Sequence, residues 1–237
     1  MGQPYASSAE FYDLLYAEHV DYAANAERIR QIVERRAPSA RTLLEVACGT
    51  GAYLERFAGH YAVTGVDISP RMLDRARQRL PGVRLVQADM SDFDLGDTFD
   101  IVVCLFSSIA YLQTFEALQA AFRCFARHLA PGGVVIVEPW FSPDQWFEGQ
   151  VHATTAQSDA LAVARVSTSQ RDGRRVTMRW AFAVARSDGQ VETFVEQHVT
   201  GQFTVDEHRA AFAAAGLDAA YDPEGLTGRG LYVAARP

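Results

Sequence analysis

Apolar residues recur along this chain with two different periods, and the change between them divides it. Tyr22, Ala26, Ile29 and Val33 form a stripe at helical spacing, and the helix stops before Pro38. A strand is predicted at 42–46 and a second at 63–67. Ser69-Pro70 then supplies an N-cap and a first-turn proline for a helix carrying Met72, Leu73, Ala76 and Leu80, which ends at Pro81-Gly82. Short apolar runs at 83–86 and 101–106 predict two more strands. Phe115, Leu118, Phe122, Phe125 and Leu129 line one helical face, closed by Pro131-Gly132-Gly133, and a fifth strand at 134–137 ends at Glu138-Pro139-Trp140. Such alternation of strands and helices predicts a parallel, doubly wound α/β sheet.

Past residue 150 the helical period disappears. Three long β-type runs follow between about 160 and 203, with hairpin signals at Arg171-Asp172-Gly173 and Ser187-Asp188-Gly189. This is an antiparallel insertion, spanning 150–203, within a single domain of 1–237. Thr204-Val205-Asp206-Glu207 is a capping box opening a helix that ends at Gly216, and strands near 218–221 and 230–235 complete the main sheet.

Candidate chemistry concentrates at the first strand. Glu45-Val46-Ala47-Cys48-Gly49-Thr50-Gly51 reads as a strand, a glycine turn and a helix start, and the second strand ends at Asp67-Ile68. Glycines let a backbone approach a nucleoside, and a strand-end carboxylate accepts from ribose hydroxyls. A dinucleotide fingerprint requires a third glycine where this chain has Leu54, which disfavours NAD. Glu45, Asp67 and the Asp89-Met90 pair each follow a predicted parallel strand, on the edge where open α/β sheets bind ligands. Asp67 is expected on the ribose, and Asp89 with Met90 on the adenine. Ala47, Ile68, Met72 and Leu105 complete the expected wall, and Tyr12, Tyr16 and Tyr22 are candidates to close over a cationic part of the ligand.

Composition narrows the partners. With 49% hydrophobic and 22% charged residues in 237, the chain is an ordinary globular protein. A net charge of −7 argues against a nucleic-acid partner. No run is apolar enough to suggest a membrane span or a signal peptide. Cys48, Cys104 and Cys124 lack metal-ligand spacing and read as reduced thiols of a cytoplasmic protein.

The glycine turn with its preceding Glu45 resembles the first motif of class I S-adenosylmethionine (SAM) methyltransferases. Further blocks sharpen the resemblance: Asp89-Met90-Ser91-Asp92-Phe93, Phe106-Ser107-Ser108-Ile109-Ala110-Tyr111-Leu112, residues 132–140, Ala164-Arg165-Val166-Ser167 and Gly228-Arg229-Gly230-Leu231. Together they resemble the bacterial N,N-dimethyltransferases of dTDP-linked aminosugars such as desosamine and mycaminose, across nearly the whole chain. The resemblance implies a Rossmann-like core with a seven-stranded, mostly parallel sheet and an antiparallel insertion covering the acceptor. It implies SAM as cofactor and a nucleotide-linked aminosugar, methylated in two rounds, as substrate. The family's Glu-Pro-Trp-Trp reads Glu138-Pro139-Trp140-Phe141 here, and 142–156 matches loosely.

On the acceptor side, Tyr111, Glu138 and His198 are the catalytic candidates, and Ser108, Tyr111, Trp140 and Arg229 the substrate-binding ones. Arg229, between two glycines, suits a diphosphate. Methyl transfer from SAM demands alignment and exclusion of water more than a strict catalytic triad. Other readings stay open: methylation of another small-molecule amine or hydroxyl, or a non-catalytic SAM-binding module. A homodimer through the insertion strands is a further expectation.

Overall fold

The computed structural model describes residues 5–146 and 149–236. Residues 1–4, where no signal-peptide pattern was read, lie outside the described residues, as do Phe147 and Glu148 of the loosely matching 142–156 segment, and Pro237.

Two sheets make up the fold. The first has seven strands: β1 (Thr42–Val46), β2 (Ala62–Asp67), β3 (Arg84–Gln87), β4 (Phe99–Cys104), β5 (Leu129–Val137), β10 (Asp218–Asp222) and β11 (Leu231–Ala235), in the order β10-β11-β5-β4-β1-β2-β3. β1 to β5 run parallel, and β11 lies antiparallel between β5 and β10. The strand order reverses between β1 and β4, where open α/β sheets form a ligand crevice. Leu43, Leu44, Ile101, Val102, Val135 and Ile136 are fully buried at the middle of this sheet, so both faces are covered.

The helices α2 (Tyr22–Arg36), α3 (Ala52–Phe57), α4 (Pro70–Arg79), α5 (Phe115–Arg127) and α6 (Val205–Ala214) follow the apolar stripes. Ser69 caps α4, with Pro70 in its first turn, and Thr204 with Glu207 forms the capping box of α6. One boundary differs from expectation. Pro131-Gly132-Gly133 does not close α5: the chain enters β5 at Leu129, and an irregularity in the β4–β5 register absorbs the sequence. Leu129 is therefore a strand residue, buried beneath α5 by the same apolar character that suggested a helix.

The second sheet is antiparallel, in the order β6 (Val151–Gln157), β7 (Leu161–Asp172), β8 (Arg175–Arg186), β9 (Val191–Gly201). β7 to β9 match the three expected runs. β6 was not expected, because Val151-His-Ala-Thr-Thr-Ala-Gln157 mixes small and polar residues on both faces. Residues 5–16, ending in α1 (Tyr12–Tyr16), cross between the two sheets. Phe11 and Leu15 pack with Val163, Trp180, Phe182 and Val184 of the second sheet. On the other side Asp13 accepts from the Thr50 hydroxyl at 2.6 Å and from Arg79 at 2.7 Å.

Candidate active site

A cavity of about 690 Å³ lies at the C-terminal ends of the parallel strands, bounded by the inner face of the second sheet and by residues of the 5–16 segment. Its chemistry changes from one side to the other. On the side of β1, β2 and β3 it is acidic, lined by Glu45, Asp67 and Asp89. On the side of β11 and the second sheet it is basic, lined by Arg229 and Arg165.

Glu45 is buried at the end of β1, and its Oε2 makes no hydrogen bond. Burial, and then the charge of Asp67, push its carboxyl well above the usual carboxylate range. An acceptor oxygen stranded in this way is stabilised by a donor from a ligand, above all a cationic one. Asp67 accepts the Gly49 N–H on Oδ2 and the Ser69 N–H on Oδ1, both at 2.8 Å. Burial raises its carboxyl too, against the opposing pull of the Ser69, Gly49 and Ile68 backbone. Each oxygen keeps a second lone pair, enough to receive a vicinal diol. Ala47 and Gly49 adopt positive φ, 58° and 55°, and turn the backbone along the cavity wall. This orphaned acid, the diol acceptor and the bared backbone fit the ammonium, ribose and adenosyl parts of SAM.

Ile68, Met72, Met90 and Leu105 line the same side, as do Tyr12, Tyr16 and Tyr22. Tyr16 has a second engagement, because its hydroxyl accepts from Arg165 at 3.0 Å. Asp89 also caps its own turn, accepting from the Ser91 N–H and hydroxyl at 2.8 and 2.7 Å. Gly51 does not reach the cavity. It caps α3 at φ 78°, where an added Cβ would sit 3.3 Å from Ala76 and Leu80.

Tyr111, Ser108, Trp140, His198 and Arg229, the residues expected at the acceptor, all line the same cavity. The Tyr111 hydroxyl lies 2.8 Å from His198 Nδ1 and 3.0 Å from the Tyr5 hydroxyl. Arg229 stacks over Phe106 and Phe141, its guanidinium carbon 5.6 and 5.3 Å from the two ring centroids, and donates to Ser107 Oγ at 3.1 Å. Phe141, which departs from the family's tryptophan, thus forms one wall of the arginine's seat. Arg229 has no carboxylate ion-pair partner among the described residues.

Glu138 does not face the acceptor. It is fully buried behind the cavity wall, its Oε2 accepting the Phe106 N–H at 2.7 Å and its Oε1 the Thr227 hydroxyl at 2.6 Å. Its position at a strand end is as expected, but the Phe106 N–H takes one oxygen and Thr227 of the returning 225–230 loop takes the other. What it holds is strained: Phe106 and Ser107 are consecutive non-glycine residues at φ 52° and 60°. Ser107 is further pinned by its hydroxyl, which donates to the Pro139 carbonyl at 2.7 Å.

A methyltransferase domain model matches residues 43–133. The dTDP-3-amino-3,4,6-trideoxy-alpha-D-glucopyranose N,N-dimethyltransferase of Streptomyces venezuelae is 47% identical over 227 residues, covering 95% of this chain and 96% of that protein. The crystal structure of Streptomyces venezuelae DesVI superposes with a TM-score of 0.92 at 45% identity, covering 98% of this chain and 99% of that one. The chain belongs to the SAM-dependent aminosugar N,N-dimethyltransferases. Another solved methyltransferase, the SAM-bound amino pentose enzyme from Micromonospora echinaspora, aligns with a TM-score of 0.84 at 40% identity, over 100% of this chain and 98% of that one.

Three residues of this methyltransferase site escaped the sequence reading. Tyr5 belongs to a run of tyrosines, but nothing local marks it as the one that reaches Tyr111. Arg165 lies within a recognised block, yet only the fold shows its guanidinium 4.8 Å over Trp180 and 5.5 Å over Tyr16, with its Nε buried and unpaired. Glu196 alternates with His198 on β9, a spacing that any strand produces.

Proposed function

We propose that this enzyme dimethylates the amino group of a dTDP-linked aminodeoxysugar, as named for its relatives, in antibiotic or surface-sugar biosynthesis. The observation that carries this is the polarity of the cavity. Two guanidiniums without carboxylate partners among the described residues, Arg229 and Arg165, line the side opposite the SAM-binding acids. That is a seat for a dianionic diphosphate beside a site for a cationic cofactor.

SAM, when bound, supplies an electrophilic methyl group. Glu45, Asp67 and Asp89 hold it, and Tyr12 and Tyr22 close against it. Arg229 and Arg165 hold the acceptor's diphosphate, and Trp140 with Phe141 covers the acceptor. Tyr111 receives a proton from the sugar amine, so that the nitrogen presents its lone pair, and His198 stands behind it. The aromatic enclosure by Tyr5, Tyr12, Tyr16 and Trp180 excludes water from the amine.

Incubation with SAM and dTDP-3-amino or dTDP-4-amino sugars, read by mass, is expected to add two methyl groups. Arg229→Ala is expected to raise KM for the nucleotide sugar about 30-fold, the loss of about 2 kcal/mol of charge-assisted bonding, while SAM affinity stays within about twofold. Turnover of a non-sugar amine, with none of the nucleotide sugars, would replace this acceptor with another.

We also propose that the second sheet pairs two copies through its outer face. Register places Ala153, Val166, Ala181 and Val195 in one row across four strands, and Thr155, Ala164, Ala183 and Thr193 in the next. Val166 and Val195 are 57% and 58% exposed. These two rows are small and uncharged, with the exposed Arg179 in the row beside them, and such a patch suits an isologous contact between identical faces. Val195→Asp is expected to convert a sedimenting dimer into a monomer with SAM binding retained, and a monomeric wild type would refute the pairing. Three unpaired buried thiols support a cytoplasmic setting. Among the described residues no helix is long and apolar enough to cross a membrane.

A further inference from the structure

Glu196 stands on β9 two residues before His198, so strand alternation turns both side chains to the inner face. Its carboxylate is nearly buried and has no arginine partner among the described residues. It accepts the Ser7 N–H at 2.8 Å, the Ser8 N–H at 3.0 Å and the Ser8 hydroxyl at 2.7 Å, and its Oε2 lies 3.4 Å from His198 Nε2. Burial pulls this carboxyl upward, but the bonds from His198, Ser8 and Ser7 outweigh it and hold the carboxyl below its ordinary value. The charge is therefore present at neutral pH.

The proton positions follow from the network. His198 Nε2 is buried and makes no hydrogen bond among the described residues, and the Glu196 carboxylate 3.4 Å away is the charge it faces. A lone pair there would face a carboxylate, so Nε2 carries the hydrogen. In the neutral ring Nδ1 is then the acceptor, and it lies 2.8 Å from the Tyr111 hydroxyl. Tyr111 has a single proton to give. Directed at Nδ1, it leaves the Tyr111 oxygen to accept from the Tyr5 hydroxyl, 3.0 Å away. The groups against the imidazole are Tyr5, Tyr111, Glu196 and the Trp180 ring, whose centroid is 3.9 Å from that of His198.

We propose that Glu196 is a positioning residue for the acceptor-side proton path, fixing His198 as the Nε2–H tautomer and stabilising the imidazolium that forms during turnover. The inference rests on the placement of Tyr111 and His198 at the acceptor amine. Burial, above every other cause, pushes the Tyr111 phenol far above its ordinary value. It takes up a proton only while passing its own onward. An acceptor ammonium gives one proton to Tyr111 Oη, the Tyr111 hydroxyl proton moves to His198 Nδ1, and the nitrogen is left with its lone pair. The resulting imidazolium keeps Nε2–H on the Glu196 carboxylate and returns the proton to water as products leave. Because the same carboxylate holds Ser7 and Ser8, the path is assembled when the N-terminal segment is seated.

Two variants separate this from a purely mechanical latch. Glu196→Gln retains an oxygen for the serine N–H groups but loses the charge facing His198. Ser8→Ala removes one latch bond and leaves the charge. With a dTDP-aminosugar, E196Q is expected to lower kcat at least about tenfold, a small part of what general acid–base groups supply, with KM within about threefold. S8A is expected to raise KM and leave kcat within about twofold. Equal effects of both variants on KM alone would make Glu196 a latch and overturn the proposal. Imidazole ¹⁵N spectra without substrate, with the His198 signals assigned by their loss in His198→Asn, give a readout apart from turnover. E196Q is expected to shift His198 away from the Nε2–H tautomer, and unchanged signals would overturn the proposal. A wild type that methylates no dTDP-aminosugar would refute the acceptor assignment instead, while the spectra still decide whether Glu196 sets the tautomer.

Discussion

Replacing Asp67 with asparagine is expected to weaken SAM binding about 100-fold in titration calorimetry, the loss of about 3 kcal/mol of bonding to a charged acceptor. The carboxylate does two things at once. It receives the Gly49 and Ser69 N–H groups that shape two turns of the cavity wall, and it lines the cavity itself. An asparagine must turn its amide nitrogen toward one of those two N–H groups, so one turn loosens as the diol loses an acceptor. Acidification acts on the same contacts. Burial raises both Asp67 and Glu45. Their anionic forms are lost as pH falls through values above the range of exposed carboxylates, and SAM affinity declines there. Wild-type affinity in the D67N variant would remove Asp67 from the cofactor site.

Glu138→Ala is expected to have the second large effect, divided differently between the two substrates. The substitution strands the Phe106 N–H and the Thr227 hydroxyl, at about 1–3 kcal/mol each for buried donors. It also frees the Phe106–Ser107 turn from a conformation that costs about 1–2 kcal/mol per residue. Both changes fall on the seat of Arg229, which leans on Phe106 and Ser107. The expected outcome is a melting temperature lower by about 5–10 °C and an acceptor kcat/KM reduced about 100-fold, a loss of about 3 kcal/mol of transition-state stabilisation. SAM affinity is expected to stay within about threefold. Equal losses for SAM and acceptor would show that the turn supports the whole cavity and not its acceptor side.

The acidic side of the cavity was legible because its information is local. Glu45, the glycine turn and Asp67 lie within 23 residues, and strand periodicity with one glycine-rich turn fixes which edge of the sheet they occupy. The opposite side is assembled from distant segments. Ser8 and Glu196 are 188 residues apart, and Tyr5 and Tyr111 are 106 apart. No spacing rule connects such pairs. Glu138 shows the intermediate case: its strand placed it at the correct edge, but the returning 225–230 loop decided that it faces inward. Strand β6 was hidden because alternation in Val151–Gln157 is too weak to separate an inner from an outer face. Leu129 fitted a helical stripe and a buried strand equally well, and pairing with β4 decided between them.

The second sheet carries two messages in one register. On β7 to β9, Arg165, Trp180, Glu196 and His198 point one way, and Val166, Ala181 and Val195 the other. Because side chains alternate along these paired strands, a substitution on one face need not change what the other face presents. Acceptor preference can therefore drift across descendants of this fold without renegotiating how the outer surface is used. An insertion or deletion of one residue within a strand has no such freedom, since it would exchange the two surfaces at a stroke. Length variation among such enzymes should accordingly collect in the hairpin tips near Gly173 and Gly189, with the strands between them held at constant length.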